Sequence, residues 1–239
     1  MPPIGFSTGS LALGEFKKAL DMMSKSESNA VELSALRENE FEPLMEALPK
    51  MDLTQYKYCS FHAPSKLEKY SEEKIVDWLS QITKHHCYVI VHPDIITDFS
   101  RWRMLGSWLC IENMDKRKAI GRTSEELKLV FDQLPEASLC FDIGHARQVD
   151  PTMLEANRIL TWFGDRVKQF HVSEVNSKSI HEPLSLQGIW AYRSFAKWLN
   201  KNIPVILETP VDEGDLDKEI EKAQWAIGAK PLPAEAQEA

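Results

Sequence analysis

The stretch SLCFDIGH, residues 138–145, joins a short apolar run to Asp142 and His145. Apolar runs of this length without polar alternation are typical of parallel strands that are covered on both faces. Seven further runs of this strand type alternate with amphipathic stretches along the 239 residues: IGFST (4–8), AVELS (30–34), YCSFHA (58–63), YVIVHP (88–93), WLCIEN (108–113), VKQFHVS (167–173) and PVILETP (204–210). Alternation of this kind predicts parallel strands joined by helical crossovers. Eight such units predict an α/β fold, a single (β/α)8 TIM barrel.

The domain organisation follows from the same pattern. We expect one barrel domain over residues 1–228 and a disordered C-terminal tail over residues 229–239. A doubly wound open sheet is the alternative, but neither G-x-G-x-x-G nor G-x-x-x-x-G-K follows the first strand. Within the barrel, Asp150 followed by Pro151 predicts a helix with proline at its first position.

Composition limits the partners that are expected. The chain has 28 Lys and Arg residues against 36 Asp and Glu residues, a net charge of −8, and we expect no basic cluster after the strand ends. This disfavours nucleic acid, although bound metal would add positive charge for an anionic substrate. No apolar run reaches the roughly 18 to 20 residues that span a bilayer, and the N-terminus lacks signal-peptide features, so we expect a cytoplasmic protein without a membrane partner. The oligomeric state is left open.

The predicted strands carry metal-binding side chains at their C-terminal ends, where TIM barrels form their active sites. The set comprises His62, His92, Glu112, Asp142 with His145, His171, His181 in the loop after the seventh strand, and Glu208. Any one of these residues could instead cap a helix or a loop. As a set, they predict a catalytic site with one to three divalent ions, and the mixture of imidazole and carboxylate favours Zn²⁺ or Mn²⁺.

Four further residues are candidates for substrate contact. Glu32 on the second strand is at the depth of the cleft, although it could equally form a salt bridge beneath the site. Arg147, Glu174 and Asn176 follow the sixth and seventh strands and could contact substrate or support the ligands.

Seven short motifs, taken together in order and spacing, resemble those of a known superfamily. They are FHAP (61–64), VHP (91–93), IEN (111–113), FDIGHA (141–146), FHVSE (170–174), IHEPL (180–184) and LETP (207–210). The chain resembles the xylose isomerase-like TIM-barrel superfamily. That superfamily includes sugar phosphate isomerases and epimerases, and also AP endonuclease family 2, the endonuclease IV-like phosphodiesterases of DNA repair.

The resemblance implies different metal sites in the two branches. The isomerase branch implies one metal on the residues matching Glu112, Asp142, His171 and Glu208, with Glu112 and Glu208 as catalytic carboxylates and His145 at the substrate. The endonuclease IV branch implies three zinc ions. Its second metal would use His62 and His92 and share Glu112, and its third would use His145, His181 and an aspartate where this chain has Ser179.

These implications lead to three functional hypotheses. The first is a metal-dependent isomerase or epimerase that transfers a proton at carbon in a small carbohydrate-like substrate, polyhydroxylated or keto. The second is a metal-dependent phosphodiester hydrolase similar to endonuclease IV, the only hypothesis in which nucleic acid is a partner. The third is a barrel that binds metal without catalysis. The sequence does not choose among metals or substrates.

Overall fold

The computed structural model describes residues 1–199 and 202–233. Within these ranges, eight parallel strands close into a barrel in the order β1-β10-β7-β6-β5-β4-β3-β2, which confirms the predicted TIM barrel. The barrel strands are β1 (Ile4–Ser7), β2 (Ala30–Ser34), β3 (Tyr58–His62), β4 (Tyr88–Val91), β5 (Leu109–Glu112), β6 (Ser138–Asp142), β7 (Val167–Val172) and β10 (Val205–Leu207). A separate antiparallel hairpin pairs β8 (Glu174–Val175) with β9 (His181–Glu182).

Helices connect successive strands around the outside of the barrel. The α-helices are α1 (Thr8–Ala12), α2 (Phe16–Ser24), α3 (Glu38–Ala47), α4 (Glu72–Thr83), α5 (Phe99–Trp102), α6 (Ser124–Gln133), α7 (Ile143–Val149), α8 (Leu154–Phe163), α9 (Leu186–Arg193), α10 (Ala196–Leu199) and α11 (Leu216–Ala226). Short 3₁₀ helices cover Leu48–Lys50, Pro93–Ile95, Arg103–Trp108, Gly164–Arg166 and Glu213–Asp215.

The strands are buried on both faces, as their unbroken apolar sequences predicted. Every residue of β2, β5 and β6 is buried, including polar residues at their ends. Outside the barrel, the apolar faces of the helices pack on the strands; α4, for example, buries Ile75, Val76, Leu79 and Ile82. The fold therefore places Glu32, Glu112 and Asp142 in a rigid, solvent-excluded frame.

Two local predictions were wrong at the C-terminal end of β6. The strand ends at Asp142 rather than at residue 145, because Asp142 caps α7 by accepting a hydrogen bond from the backbone N–H of His145 at 2.6 Å. The next helix begins at Leu154 rather than at Pro151. The Asp150 carboxylate accepts hydrogen bonds from the backbone N–H groups of Thr152 and Glu155, which holds residues 150–153 as a turn.

The predicted C-terminal tail remains a prediction. Residues 229–233 lie outside helices and strands, and Leu232 packs on the core with 7% of its surface exposed. Residues 234–239 of the predicted tail lie outside the described residues. In the described part of the chain, none of the helices has the length and apolar character needed to cross a membrane.

Candidate metal centre

All eight predicted metal ligands meet at the mouth formed by the C-terminal ends of the strands. Their side chains form three donor groups, and within each group the donor atoms lie within 4.8 Å of one another. The first donor group is His62, His92 and Glu112; the central donor group is Glu112, Asp142, His171 and Glu208; the third donor group is Asp142, His145, His181 and Glu208. The groups overlap because Glu112, Asp142 and Glu208 each belong to two of them.

Glu112 at the end of β5 lies between the first and the central donor groups. Its Oε2 atom is 3.1 Å from Nε2 of His62 and 3.2 Å from Nε2 of His92. Its Oε1 atom is 3.0 Å from Nδ1 of His171. Because each carboxylate oxygen faces a different group, Glu112 is placed to bridge two cations.

The third donor group contains two histidines and two carboxylates, although position 179 is a serine. His145 Nδ1 lies 3.7 Å from Oδ2 of Asp142, and His181 Nε2 lies 3.6 Å from Oε2 of Glu208. Ser173 Oγ is 2.7 Å from Nδ1 of His181, which leaves Nε2 directed toward Glu208. Ser179 hydrogen-bonds to Gln148 instead. The carboxylates of Asp142 and Glu208 thus lie near the imidazoles of His145 and His181, respectively.

The donor set fits a divalent cation. Among the described residues, Oδ2 of Asp142 is buried without a hydrogen-bond partner, although it belongs to both the central and the third donor groups. Burying a bare carboxylate oxygen costs free energy that a cation would offset. Imidazole nitrogens mixed with carboxylate oxygens are ligands that Zn²⁺ and Mn²⁺ accept. The identity of the metal stays a prediction.

The two carboxylates proposed as catalytic, Glu112 and Glu208, have pKa values that are shifted in opposite directions. Burial alone would raise the pKa of Glu112, but the charge and hydrogen bond of His171, with hydrogen bonds from His62 and His92, hold it well below its usual range. Burial raises the pKa of Glu208 well above its usual value, and the negative charge of Glu112 adds to this rise. Without metal, Glu112 is therefore ionised while Glu208 favours its protonated form.

The pKa values of His171 and His181 are also shifted in opposite directions. Burial lowers the pKa of His171, but its neighbours Cys140, Glu208, Glu32 and Glu112 outweigh this effect and raise the pKa well above its usual value. Burial lowers the pKa of His181 to about 3. In the metal-free protein at neutral pH, His171 is thus the protonated, cationic imidazolium, whereas His181 is a neutral imidazole.

The known proteins that are similar to this chain are solved structures, and the similarity shows the fold. No family model matches the sequence, and no curated protein matches it. Endonuclease IV from Thermus thermophilus is 21% identical, with a TM-score of 0.62 over 96% of this chain and 100% of that chain. A xylose isomerase domain protein from Alicyclobacillus acidocaldarius is 15% identical, with a TM-score of 0.61 over 95% and 98%. A xylose isomerase-like TIM barrel protein from Mycobacterium smegmatis, in complex with magnesium, is 12% identical, with a TM-score of 0.59 over 96% and 98%.

The chain has the xylose isomerase-like TIM-barrel fold. This confirms, at the level of the fold, the resemblance drawn from the motifs. Similarity at these identities does not assign a reaction, because one barrel fold supports many chemistries.

The four predicted substrate-contact residues lie away from the cleft lining. Glu32 is fully buried beneath the central donor group and contacts His171. Arg147 and Glu174 form an ion pair with each other. Asn176 donates a hydrogen bond to Glu182 across the β8–β9 hairpin. All four are engaged by other protein groups, and their contact with substrate stays a prediction.

The cleft over the donor groups instead has three cationic side chains in its wall. It has a volume of about 680 Å³, and its lining includes Lys66, Arg117 and Lys118 beside the metal-ligand candidates. The expectation that no basic cluster follows the strand ends was wrong, because Lys116–Lys118 follow β5 and two of these residues reach the cleft. Arg117 Nε lies 3.0 Å from Asp115 and Lys118 Nζ lies 2.8 Å from Asp94, so each of these two cations is paired with a carboxylate.

Proposed function

We propose that this chain is a hydrolase of phosphate esters that uses at least two divalent ions. The observation that carries the proposal is the position of Glu112, whose two oxygens face imidazoles of two different donor groups at 3.0 to 3.2 Å. Paired ions bridged by a carboxylate are a recurrent solution for displacement at phosphorus.

The number of donors supports a multinuclear site over a mononuclear one. One ion on the central donor group would use Glu112, Asp142, His171 and Glu208. It would leave His62 and His92 buried against Glu112 without a role, at a desolvation cost. Chemistry that needs more than one cation explains why those two imidazoles are there.

The residues of the cleft suit an anionic substrate. Divalent ions bound to the donor groups would supply positive charge opposite a phosphoryl group and polarise its P–O bonds. Lys66, Arg117 and Lys118 can bind the outer phosphate oxygens, because cationic donors form strong hydrogen bonds with phosphate.

The similar structures agree with this proposal. Endonuclease IV shares the fold over 96% of this chain and 100% of its own chain, and the Mycobacterium smegmatis barrel was determined in complex with magnesium. Because endonuclease IV is a nuclease, a barrel of this fold can support phosphodiester chemistry.

A second candidate is the isomerase or epimerase that the resemblance first implied. The observation that favours it is the contrast between Glu112, whose lowered pKa keeps it ionised, and Glu208, whose raised pKa favours its protonated form. In this case one ion on the central donor group would suffice, and Glu208 would exchange a proton with a carbon next to a carbonyl.

Two assays on one metal-loaded preparation separate the candidates. The hydrolase releases p-nitrophenol from bis(p-nitrophenyl) phosphate or cleaves an oligonucleotide with an abasic site, and Glu112→Gln abolishes this. The isomerase exchanges deuterium from solvent into a ketose or aldose, which nuclear magnetic resonance detects. Deuterium exchange without phosphate release would contradict the proposal. Metal binding with neither activity would favour the barrel without catalysis.

A further inference from the structure

A buried carboxylate lies directly beneath the central donor group. Glu32 on β2 has no exposed surface, and its Oε2 atom is 2.9 Å from Nε2 of His171. The other ring nitrogen of His171, Nδ1, is 3.0 Å from Glu112 and 3.5 Å from Glu208. The two nitrogens of this imidazole therefore face different partners: Nδ1 faces the donor group, whereas Nε2 faces Glu32 and also lies 2.7 Å from the amide nitrogen of Gln169.

A chain of hydrogen bonds fixes Glu32 in this position. The Gln169 amide donates from Nε2 to Oε2 of Glu32 at 2.6 Å. The Tyr58 hydroxyl donates to Oε1 of Gln169 at 2.7 Å, so the amide nitrogen of Gln169 is the end that faces Glu32. Ser60 Oγ adds a longer contact of 3.4 Å to the same carboxylate oxygen. Side chains from β3 and β7 thus all hold one oxygen of Glu32.

The other oxygen of Glu32 argues against a purely structural role. Among the described residues, Oε1 is buried and has no hydrogen-bond partner. A buried ion pair with a bare oxygen contributes little net stability, because desolvation offsets the attraction. The arrangement is explained by its effect on His171 rather than by the stability of the barrel.

We propose that Glu32 is a positioning residue that holds His171 with its proton on Nε2 and with Nδ1 free to bind metal. A carboxylate that accepts the N–H of a ligating imidazole fixes the tautomer and the ring orientation, and it makes the ligating nitrogen a better donor. Glu32 reaches no substrate, because it lies below the donor group. This inference rests on the metal binding that the proposed function requires.

The first test measures metal affinity without any substrate. Zn²⁺ is titrated in competition with a chromogenic chelator into two metal-free proteins. Both carry His62→Ala and His92→Ala, which remove the first donor group, and one of them also carries Glu32→Gln. We expect Glu32→Gln to weaken binding roughly 10- to 100-fold. Unchanged affinity would overturn the inference.

A matched control separates positioning from a general effect of changing a buried carboxylate. Glu155 on α8 is also buried, and its carboxylate accepts a hydrogen bond from the backbone of Ser124 at 2.5 Å, away from the donor groups. In the same background, Glu155→Gln should leave the zinc affinity unchanged. An equal loss of affinity in both variants would overturn the positioning role.

The second test needs no variant of Glu32. In zinc-loaded wild type, ¹⁵N spectra of the imidazole rings should show the His171 proton on Nε2 and metal on Nδ1, with the signal assigned by its loss in His171→Gln. Metal on Nε2 would overturn the inference. If the wild-type protein binds no zinc, the proposed function is overturned as well. If zinc binds with the same affinity to the Glu32→Gln variant, only the role of Glu32 is overturned.

Discussion

The side chain of Asn113 makes two hydrogen bonds to the backbone of Asp142. Its Nδ2 donates to the Asp142 carbonyl at 2.8 Å, and its Oδ1 accepts from the Asp142 N–H at 2.8 Å. Both residues are fully buried. Asn113 follows Glu112 directly, so this amide ties the end of β5 to the end of β6. It thereby fixes the distance between two carboxylates of the central donor group.

Replacing Asn113 by Ala should therefore damage both stability and the site. Two buried backbone groups would lose their partner, and we expect a loss of about 1 to 3 kcal/mol in the free energy of unfolding. Zinc affinity should fall as well, because Asp142 is no longer held against Glu112. Urea denaturation and zinc titration measure the two effects. Asn157→Ala at an exposed position on α8 provides the control. If Asn113→Ala and Asn157→Ala had the same unfolding free energy and the same zinc affinity, Asn113 would not tie the two strands together.

Removing Glu112 should have a larger effect on metal content than removing a ligand of one group. Because Glu112 belongs to both the first and the central donor groups, Glu112→Gln is expected to lose two ions. His62→Ala is expected to lose only the ion of the first group. Inductively coupled plasma mass spectrometry of dialysed protein gives the number of ions per chain. Loss of one ion in both variants would argue against a bridging carboxylate.

Metal binding should release protons and strengthen as pH rises. The pKa of His171 is raised well above 6.5 by its neighbours despite burial, so the metal-free protein holds a proton there at neutral pH. A cation must displace that proton, and each pH unit below the pKa weakens binding by about tenfold per proton released. Zinc titration from pH 6 to 8 tests the direction. Calorimetry in two buffers of different ionisation enthalpy counts the protons, and an affinity that falls with rising pH would contradict the assignment.

The proton on His171 has the opposite effect on the metal-free fold. A pKa that is higher in the folded state than in the unfolded state adds stability below the unfolded value, and this contribution disappears as pH rises through the folded value. We therefore expect the metal-free protein to gain more stability from zinc at pH 8 than at pH 6. Thermal denaturation with and without zinc at both pH values measures the difference.

The basic wall of the cleft predicts an effect on substrate binding. Lys66 is exposed and lines the cleft, so Lys66→Met should raise KM for a phosphate ester about tenfold, the equivalent of one charge-assisted hydrogen bond. Metal content should stay unchanged. Lys128→Met on the outer helix α6 removes the same charge far from the mouth and serves as the control. Equal KM values for the two variants would exclude Lys66 from substrate contact.

The fold and the convergence of the candidate metal ligands were predictable because both depend on local sequence patterns. Apolar runs such as AVELS specify buried strands, and barrel closure brings their ends to one mouth. An ionisable side chain at the end of such a run, such as Glu112 or Asp142, therefore lies close to those at the ends of the other strands, independently of loop conformation. Strand lengths were overestimated because Asp142 both ends β6 and caps the next helix.

The lining of the cleft was not predictable in the same way, because it depends on loop conformation. Arg117 reaches the cleft because Asp115, two residues earlier, holds its guanidinium. The sequence shows the basic residues 116–118 but not their direction. The sequence likewise does not show that Glu174 pairs with Arg147, a partner 27 residues away. The IEN motif signalled Asn113, although only the folded chain shows that its amide holds Asp142.

If Glu112 joins two cations at the mouth of this barrel, both should be visible in crystals of the zinc-loaded protein. Anomalous X-ray diffraction at the zinc absorption edge locates each zinc ion. We predict at least two anomalous peaks, one between Glu112 and the two imidazoles of His62 and His92, and one between Glu112 and His171. A single peak on the central donor group, or peaks that Glu112 does not touch, would show that Glu112 does not join two ions.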